Sequence, residues 1–189
     1  MRLFIWAMAF PLLASPFSLQ FRGGYFYPAA ELIQDVYDTG GGDYETEIAA
    51  KLHRNLSGWM NFNYFFRKGH TIGFDRGTFI RIFPLSLGLK YKFLVTDVID
   101  FYIGVGPTYT WVRIHDDVSH RIIWRQAGGI VGKTGFLYYL PHPRLFFDIY
   151  FDYYYTHISQ ITFALRPIIK NEGVNIGGLR GGAGLGIFF

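Results

Sequence analysis

Two carboxylates stand inside a run of aromatic residues, LFFDIYFDYYYT at 145–156. An unpaired carboxylate in an apolar interior is so costly that it takes a partner or loses its charge. Asp148 and Asp152 could therefore form ion pairs with basic side chains or line a path for ions. The apolar residues between them fall on every second position, which is the period of a β-strand. The segment predicts a strand with one apolar face and one face that carries both aspartates.

Three other segments resemble catalytic or binding motifs. AGGIVGKT at 127–134 has alanine where a phosphate-binding loop needs its first glycine, and no helical pattern follows it. GGAGLG at 181–186 lacks the spacing of a dinucleotide-binding motif. HDDVSH at 115–120 contains two histidines and two aspartates, but a solvated loop explains these residues better than a metal site does. We predict neither a cofactor nor a metal.

The composition is unusual for a soluble protein. Of 189 residues, 20% are aromatic and only 17% are charged, with 23 glycines and no cysteine. The absence of cysteine excludes disulfide scaffolds and thiolate metal sites. The net charge is +4, but the basic residues are scattered singly, so the sequence predicts no nucleic-acid partner. The length allows one domain of ordinary size.

The N-terminus has the order of a secretory signal peptide. Arg2 precedes an apolar stretch at 3–14, and the small residues Ala14, Ser15 and Ser18 follow. The stretch is too short to cross a bilayer as a helix, which takes about 20 residues. The alternative is a buried helix or strand that begins the domain. We predict a signal peptide at 1–18, cleaved between residues 14 and 18, and one domain at 19–189.

Alternation with a period of two continues along the rest of the chain. In the second of the alternating segments, for example, Tyr44, Thr46 and Ile48 alternate with Glu45 and Glu47. The segment 127–139 is the least regular. Eight strands are predicted, at 19–27, 44–52, 59–67, 79–93, 101–111, 127–139, 145–155 and 176–189.

Each predicted strand has one apolar face and one polar or small face. Among the glycines, the second face carries Arg22, Glu45, Glu47, Lys51, Lys90, Lys92, Lys133, Asp148, Asp152 and Arg180. Small residues and mixed charges suit a narrow barrel interior, and repeated aromatics and leucines suit lipid outside it. A lipocalin-like barrel would turn these faces the other way and leave a largely glycine surface toward water. The pattern favours an eight-stranded antiparallel transmembrane β-barrel.

The lengths of the connections agree with this architecture. Four long polar connections, 28–43, 67–78, 112–126 and 156–175, alternate with short ones near 53–58, 94–100 and 140–144. Long external loops and short periplasmic turns are typical of outer-membrane barrels. Within 28–43, the sequence ELIQDVYDTGGG is assigned to an external loop with one short helical turn.

The chain resembles the eight-stranded outer-membrane barrels grouped with opacity, OmpA and OmpW-like surface proteins. The resemblance rests on FRGGYFYP at 21–28, IFPLSLGLKY at 82–91, YIGVGPTY at 102–109 and GGAGLGIFF at 181–189. It implies a Gram-negative outer-membrane location, contact with outer-membrane lipid and lipopolysaccharide, and a terminal Phe189 that the barrel assembly machinery reads. It also implies a surface antigen of the cell envelope or, alternatively, an OmpW-like transporter of small molecules.

The interior of an eight-stranded barrel is just wide enough for side chains to fill. We therefore expect the inward ions to pair across the lumen, so that Asp148 and Asp152 belong to a salt-bridge core. An ion or substrate path is the alternative. A filled lumen predicts a non-enzymatic protein that acts in envelope structure or in surface contact through its external loops, whose ligand the sequence does not identify.

One constellation leads to an enzymatic alternative. His157 and Ser159 stand where the seventh strand meets its external loop, and Glu172 follows. This pattern resembles the outer-membrane lipid A deacylases, and the resemblance implies Ser159 as nucleophile, His157 as base and Glu172 as its orienting group. The sequence departs from that family at Gln160, where those enzymes carry asparagine.

Overall fold

The computed structural model describes residues 17–37, 40–70, 77–116, 121–141, 144–158 and 174–189. They form nine strands and one short helix. In chain order these are β1 (Phe17–Pro28), α1 (Glu31–Tyr37), β2 (Gly41–His53), β3 (Leu56–His70), β4 (Gly77–Thr96), β5 (Ile99–Asp116), β6 (Arg121–Tyr139), β7 (Leu145–Ile158), β8 (Val174–Asn175) and β9 (Gly178–Phe188).

Eight of the strands close into an antiparallel barrel. Each of β1 to β6 pairs with the next strand, β7 pairs with β9, and β9 pairs with β1. The remaining strand, β8, pairs with the external end of β7 through His157 and Ile158. Closure removes the unpaired strand edges that would be costly in lipid. The predicted eight-stranded antiparallel barrel is confirmed.

Several strands are longer than the sequence predicted. β5 reaches Asp116 and β6 begins at Arg121, so the connection predicted at 112–126 spans only 117–120. The ladder continues because Val112 and Ile114 point inward and are buried. β1 begins at Phe17, two residues before the predicted start of the domain, and the rest of the predicted signal peptide lies outside the described residues.

At the end of the barrel opposite the 117–120 connection, the connections between strands are short. Two residues, Arg54 and Asn55, join β2 to β3, and another two, Asp97 and Val98, join β4 to β5. Strand β1 begins and strand β9 ends at this end of the barrel, where Phe17 stacks on Phe189 with ring centroids 4.6 Å apart. The short turns, the start of β1 and the end of β9 therefore lie together at the periplasmic end.

The outer face of the barrel is apolar on every strand. Phe21, Leu87 and Leu185 each leave more than half of their surface exposed. Full exposure of a side chain of this size to water, compared with burial, costs about 1.5–3 kcal/mol of free energy. A continuous belt of such side chains is the surface that a transmembrane barrel presents to lipid, and it is the face that the alternation predicted.

Helix α1 folds into the external end of the barrel. Ile33 and Tyr37, one helical turn apart, are both 2% exposed. The Tyr37 hydroxyl lies 3.3 Å from the Thr78 hydroxyl on β4. Gly40 has a φ of 131°, which a residue with a side chain rarely adopts, and it turns the chain back into β2. No helix in the described part of the chain is long and apolar enough to cross a membrane.

Candidate functional site

Nine charged side chains meet in the middle of the lumen, and each is at most 3% exposed. They come from six strands, because every second residue of each strand points inward. We call this group the ionic layer. It consists of four cations, Arg22, Lys90, Lys133 and Arg180, and five carboxylates, Asp43, Glu45, Glu47, Asp148 and Asp152.

Glu45 is the centre of the ionic layer. Its Oε1 accepts hydrogen bonds from Arg22 Nη1 at 3.0 Å and from Lys133 Nζ at 2.7 Å. Its Oε2 accepts one from Arg180 Nη1 at 2.7 Å. Arg180 also pairs with Asp43. One carboxylate thus holds cations from β1, β6 and β9 together.

Glu47 joins the layer to β4. It accepts hydrogen bonds from Lys90 Nζ at 2.5 Å and from Lys133 Nζ at 2.6 Å. Lys133 therefore bridges Glu45 and Glu47, which are neighbours on one face of β2. Pairing of this kind offsets the cost of removing each charge from water.

The two aspartates of the aromatic run have different surroundings. Asp148 Oδ2 lies 2.6 Å from Arg22 Nη2 and 2.5 Å from Gln20 Nε2. Asp152 lies 3.6 Å from Arg22 and 3.8 Å from Lys133, and neither of its oxygens accepts a hydrogen bond from a described residue. Asp148 is firmly held, whereas Asp152 interacts only through its charge.

Aromatic and amide side chains fill the space around the ions. The Trp59 ring lies 4.6 Å from Lys133 Nζ, and a Cβ on Gly88 would approach that indole to 2.8 Å. The Tyr154 hydroxyl accepts hydrogen bonds from Asn63 Nδ2 at 2.8 Å and from Arg180 Nη1 at 2.9 Å. Glycines in the lumen thus provide room for large side chains.

The sequence reasoning missed three members of this interior, Asp43, Trp59 and Tyr102. A signal for each was present. Asp43 continues the alternation of Glu45 and Glu47 beyond the predicted start of the strand. Trp59 has the same parity as Asn61 and Asn63, and Tyr102 the same parity as Gly104. Extending each alternation to the end of its strand places all three inside.

Two residues of the predicted lumen network, Lys51 and Lys92, lie outside the ionic layer. Lys51 is exposed, and Lys92 is half-buried, with its Nζ 5.6 Å from the centre of the Phe188 ring. Both lie near the periplasmic ends of their strands, where the barrel opens toward the periplasm. They line an open cavity of about 440 Å³ below the ionic layer.

The external end of the lumen is closed by apolar side chains instead of ions. We call this cluster the apolar plug. A cavity of about 20 Å³ lies between it and the ionic layer, with room for about one water molecule. The plug contains Phe26, Ile33, Tyr37, Phe65, Ile80, Ile82, Val112, Ile114, Ala127, Ile158 and Ile176.

Of the three residues of the hydrolase alternative, His157 alone lies within the described part of the chain. His157 is exposed on the outward face at the end of β7, opposite Asn175 of β8. The Asn175 Oδ1 accepts hydrogen bonds from the backbone N–H groups of Thr156 and Gly177 at 3.1 and 3.0 Å. Ser159 and Glu172 lie outside the described residues, so their predicted roles stay predictions.

Comparison with solved structures places this geometry in a known class of fold. Neisserial surface protein A is 15% identical, with a TM-score of 0.63 over 92% of this chain and 97% of that chain. OprG of Pseudomonas aeruginosa is 14% identical, with a TM-score of 0.64 over 93% and 96%. Ail, the attachment invasion locus protein of Yersinia pestis, was solved with the heparin analogue sucrose octasulfate. It is 11% identical, with a TM-score of 0.59 over 93% and 99%.

These likenesses show a shared fold. No protein-family model and no curated protein matches the sequence. The chain has the fold of the eight-stranded outer-membrane β-barrels. More particularly, it is similar to the small barrels represented by Neisserial surface protein A, Ail and OprG. This agrees with the resemblance seen in the sequence.

Proposed function

We propose that this protein is a closed, non-enzymatic barrel of the bacterial outer membrane that acts at the cell surface through its external end. The observation that carries the proposal is the double closure of the lumen. Ions block its middle, and apolar side chains block its external end. A barrel that conducts nothing serves its cell as a membrane anchor for whatever it presents outside.

The outer-membrane location is supported by the apolar belt on every strand and by the fold of the similar structures. The surface role is supported by the names of two of those proteins, a surface protein and an attachment protein. We propose lipopolysaccharide and the barrel assembly machinery as partners. In that case Phe189, which stacks on Phe17 at the periplasmic rim, is the terminal residue that the machinery reads.

A conductance measurement tests the closed lumen. The purified barrel, shown to be folded by its mobility in an unboiled gel, is added to a planar lipid bilayer. We expect no discrete conductance steps. The same recording with an open porin of known conductance is the positive control for detection. Steady channels from the wild type would overturn the proposal in favour of small-molecule transport.

A second experiment tests the absence of lipid hydrolysis. Mass spectra of lipid A are compared between cells that express the wild type and cells that express Ser159→Ala. We expect identical acylation. Loss of one acyl chain only with the wild type would make the protein a hydrolase with Ser159 as its nucleophile.

Fractionation of the envelope on a sucrose gradient tests the location. We expect the mature chain in the outer-membrane fraction, and its N-terminal sequence to begin between residues 15 and 19 after signal cleavage. Recovery with the inner membrane would contradict the proposed location.

A further inference from the structure

Two arginines face each other on the outside of the barrel near its external end. Arg81 of β4 and Arg113 of β5 are direct cross-strand partners in the ladder. Both point outward, because the residues on either side of them, Ile80, Ile82, Val112 and Ile114, are buried in the apolar plug. Like charges in directly opposite positions destabilise a sheet. A nearby anion would therefore stabilise the pair.

The described residues do not supply that anion. No carboxylate among them forms an ion pair with Arg81 or Arg113. The Nε of Arg81 is buried and makes no hydrogen bond with a described residue. Arginine binds phosphate through several parallel N–H groups, and Nε is one of them. An oxyanion bound to the terminal N–H groups of these arginines would offset the repulsion.

Aromatic rings hold the two guanidinium groups in place. The Arg81 guanidinium lies 5.6 Å from the centre of the Phe66 ring, and that of Arg113 lies 5.4 Å from the centre of the Trp124 ring. The register makes these four residues one continuous row across β3, β4, β5 and β6. The row is a fixed basic strip on the surface, with an aromatic residue at each end.

The position of the strip along the barrel axis, relative to the apolar band, indicates which part of the membrane surrounds it. On β4 the outward residues from Phe93 to Phe83 are all apolar, and on β5 the same holds from Phe101 to Trp111. Ten residues at about 3.4 Å each, tilted by about 35–45°, rise about 25 Å. This is the height of the apolar band of an outer-membrane barrel, which aromatic residues flank at both interfaces.

On each strand the first charged outward residue beyond the external aromatic is an arginine. Toward the external end, Arg81 lies two positions beyond Phe83 on β4, and Arg113 lies two positions beyond Trp111 on β5. Two residues add about 5 Å of height. The guanidinium groups therefore lie where the headgroups of the outer leaflet begin, and exposed Lys68 lies one row further out on β3.

We propose that Arg81 and Arg113 form a binding site for the phosphate group of an outer-leaflet glycolipid. Phe66 and Trp124 flank the site, and Lys68 adds a further positive charge. The site fixes the barrel in its lipid and sets its depth. The identity of the lipid rests on the outer-membrane location proposed above, but the phosphate chemistry of the site does not.

The test uses the full-length mature barrel folded in three kinds of vesicle. These contain phosphatidylcholine alone, phosphatidylcholine with bisphosphorylated lipid A, or phosphatidylcholine with dephosphorylated lipid A. The readout is the temperature at which half of the protein loses its folded mobility in an unboiled gel. The variants are Arg81→Gln with Arg113→Gln and, as a matched control, Arg54→Gln in an exposed periplasmic turn.

We expect bisphosphorylated lipid A, and not the dephosphorylated form, to raise the midpoint of the wild type and of Arg54→Gln by several degrees. The double variant should lose most of this rise. In phosphatidylcholine alone it should be at least as stable as the wild type, since the repulsion between the two arginines is gone. A double variant that is less stable than the wild type with bisphosphorylated lipid A, but not in phosphatidylcholine alone, distinguishes a phosphate site from a structural role.

Three results would overturn the proposal. One is a double variant that is less stable than the wild type by the same amount in all three vesicles. Another is an equal rise with both forms of lipid A. The third is an equal rise when inorganic phosphate is added to phosphatidylcholine vesicles, which would indicate a site for soluble anions. The assay does not depend on cellular location, so the proposed function can fail on the sucrose gradient while this result stands.

Discussion

The ionic layer and the apolar plug close the same lumen in different ways. The layer depends on specific partners, such as the three cations that share Glu45. The plug depends on volume, as in the edge-to-face packing of Phe26 on Phe65 with ring centroids 5.0 Å apart. A charge that loses its partner in a closed space has no replacement, whereas an apolar cluster can repack. The two regions should therefore respond differently to substitution.

The largest effect is expected at the centre of the ionic layer. Glu45→Ala removes the carboxylate that Arg22, Lys133 and Arg180 share, and the free energy of unfolding should fall by about 3–5 kcal/mol. A guanidinium titration in detergent micelles, followed by unboiled gel mobility, measures it. Asp97→Ala, in an exposed turn, is the matched control. An equal loss in both variants would mean that the layer rearranges as freely as the plug.

The protein should lose less stability when the apolar plug loses the Ile33 side chain of helix α1. Ile33→Ala removes a buried side chain, but the short helix can settle into the space. The loss should be about 2 kcal/mol, the lower end of the range for such changes. Asp35→Ala, on the exposed face of the helix, is the control. Bilayer recordings of Ile33→Ala should show no channels, because the ionic layer is intact, and channels would show that the two closures depend on each other.

The two aspartates of β7 sharpen the comparison within the ionic layer. Asp148→Asn removes the charge that pairs with Arg22 and that accepts a hydrogen bond from Gln20, and hydrogen bonds to charged groups contribute about 1.5–3 kcal/mol. Asp152→Asn breaks no hydrogen bond to a described residue and should cost less than about 1.5 kcal/mol. The same titration compares the two variants directly. A greater loss at Asp152 would contradict the contacts described here.

The smallest effect is expected for a conservative change in the plug. Ile82→Val removes one methyl group and should lower the free energy of unfolding by about 0.5–1.5 kcal/mol. The equally conservative Arg22→Lys should cost more, because one ammonium group cannot reach both Glu45 and Asp148 as the planar guanidinium does. If the two losses are equal in the guanidinium titration, partner geometry matters no more in the layer than volume does in the plug.

Much of the fold was predictable because a barrel strand repeats every two residues. The alternation of Glu45 and Glu47 with Tyr44, Thr46 and Ile48 fixed which face of β2 turns inward, and the structure agrees. The ends of the strands were less predictable. Hydrogen bonding carries β5 and β6 outward to Asp116 and Arg121, into residues whose polarity had indicated a loop. Polarity marks exposure to water, and a paired strand can be exposed.

The candidate site was predictable in its members but not in its pairs. Eight of the ten predicted ions lie in the ionic layer, and Lys51 and Lys92 lie at the rim. The stagger of the strands places Arg22 of β1 against Asp148 of β7 at 2.6 Å, and these residues are 126 positions apart. No local pattern encodes such a distance across the barrel. The same stagger aligns Arg81 with Arg113.

The sequence by itself determined the eight strands and their inward and outward faces, because each depends on neighbours along the chain. The tertiary structure decided which ions meet, that α1 enters the lumen, and where the barrel opens. Those outcomes depend on the width and stagger of a closed sheet, which exist only when all eight strands have paired.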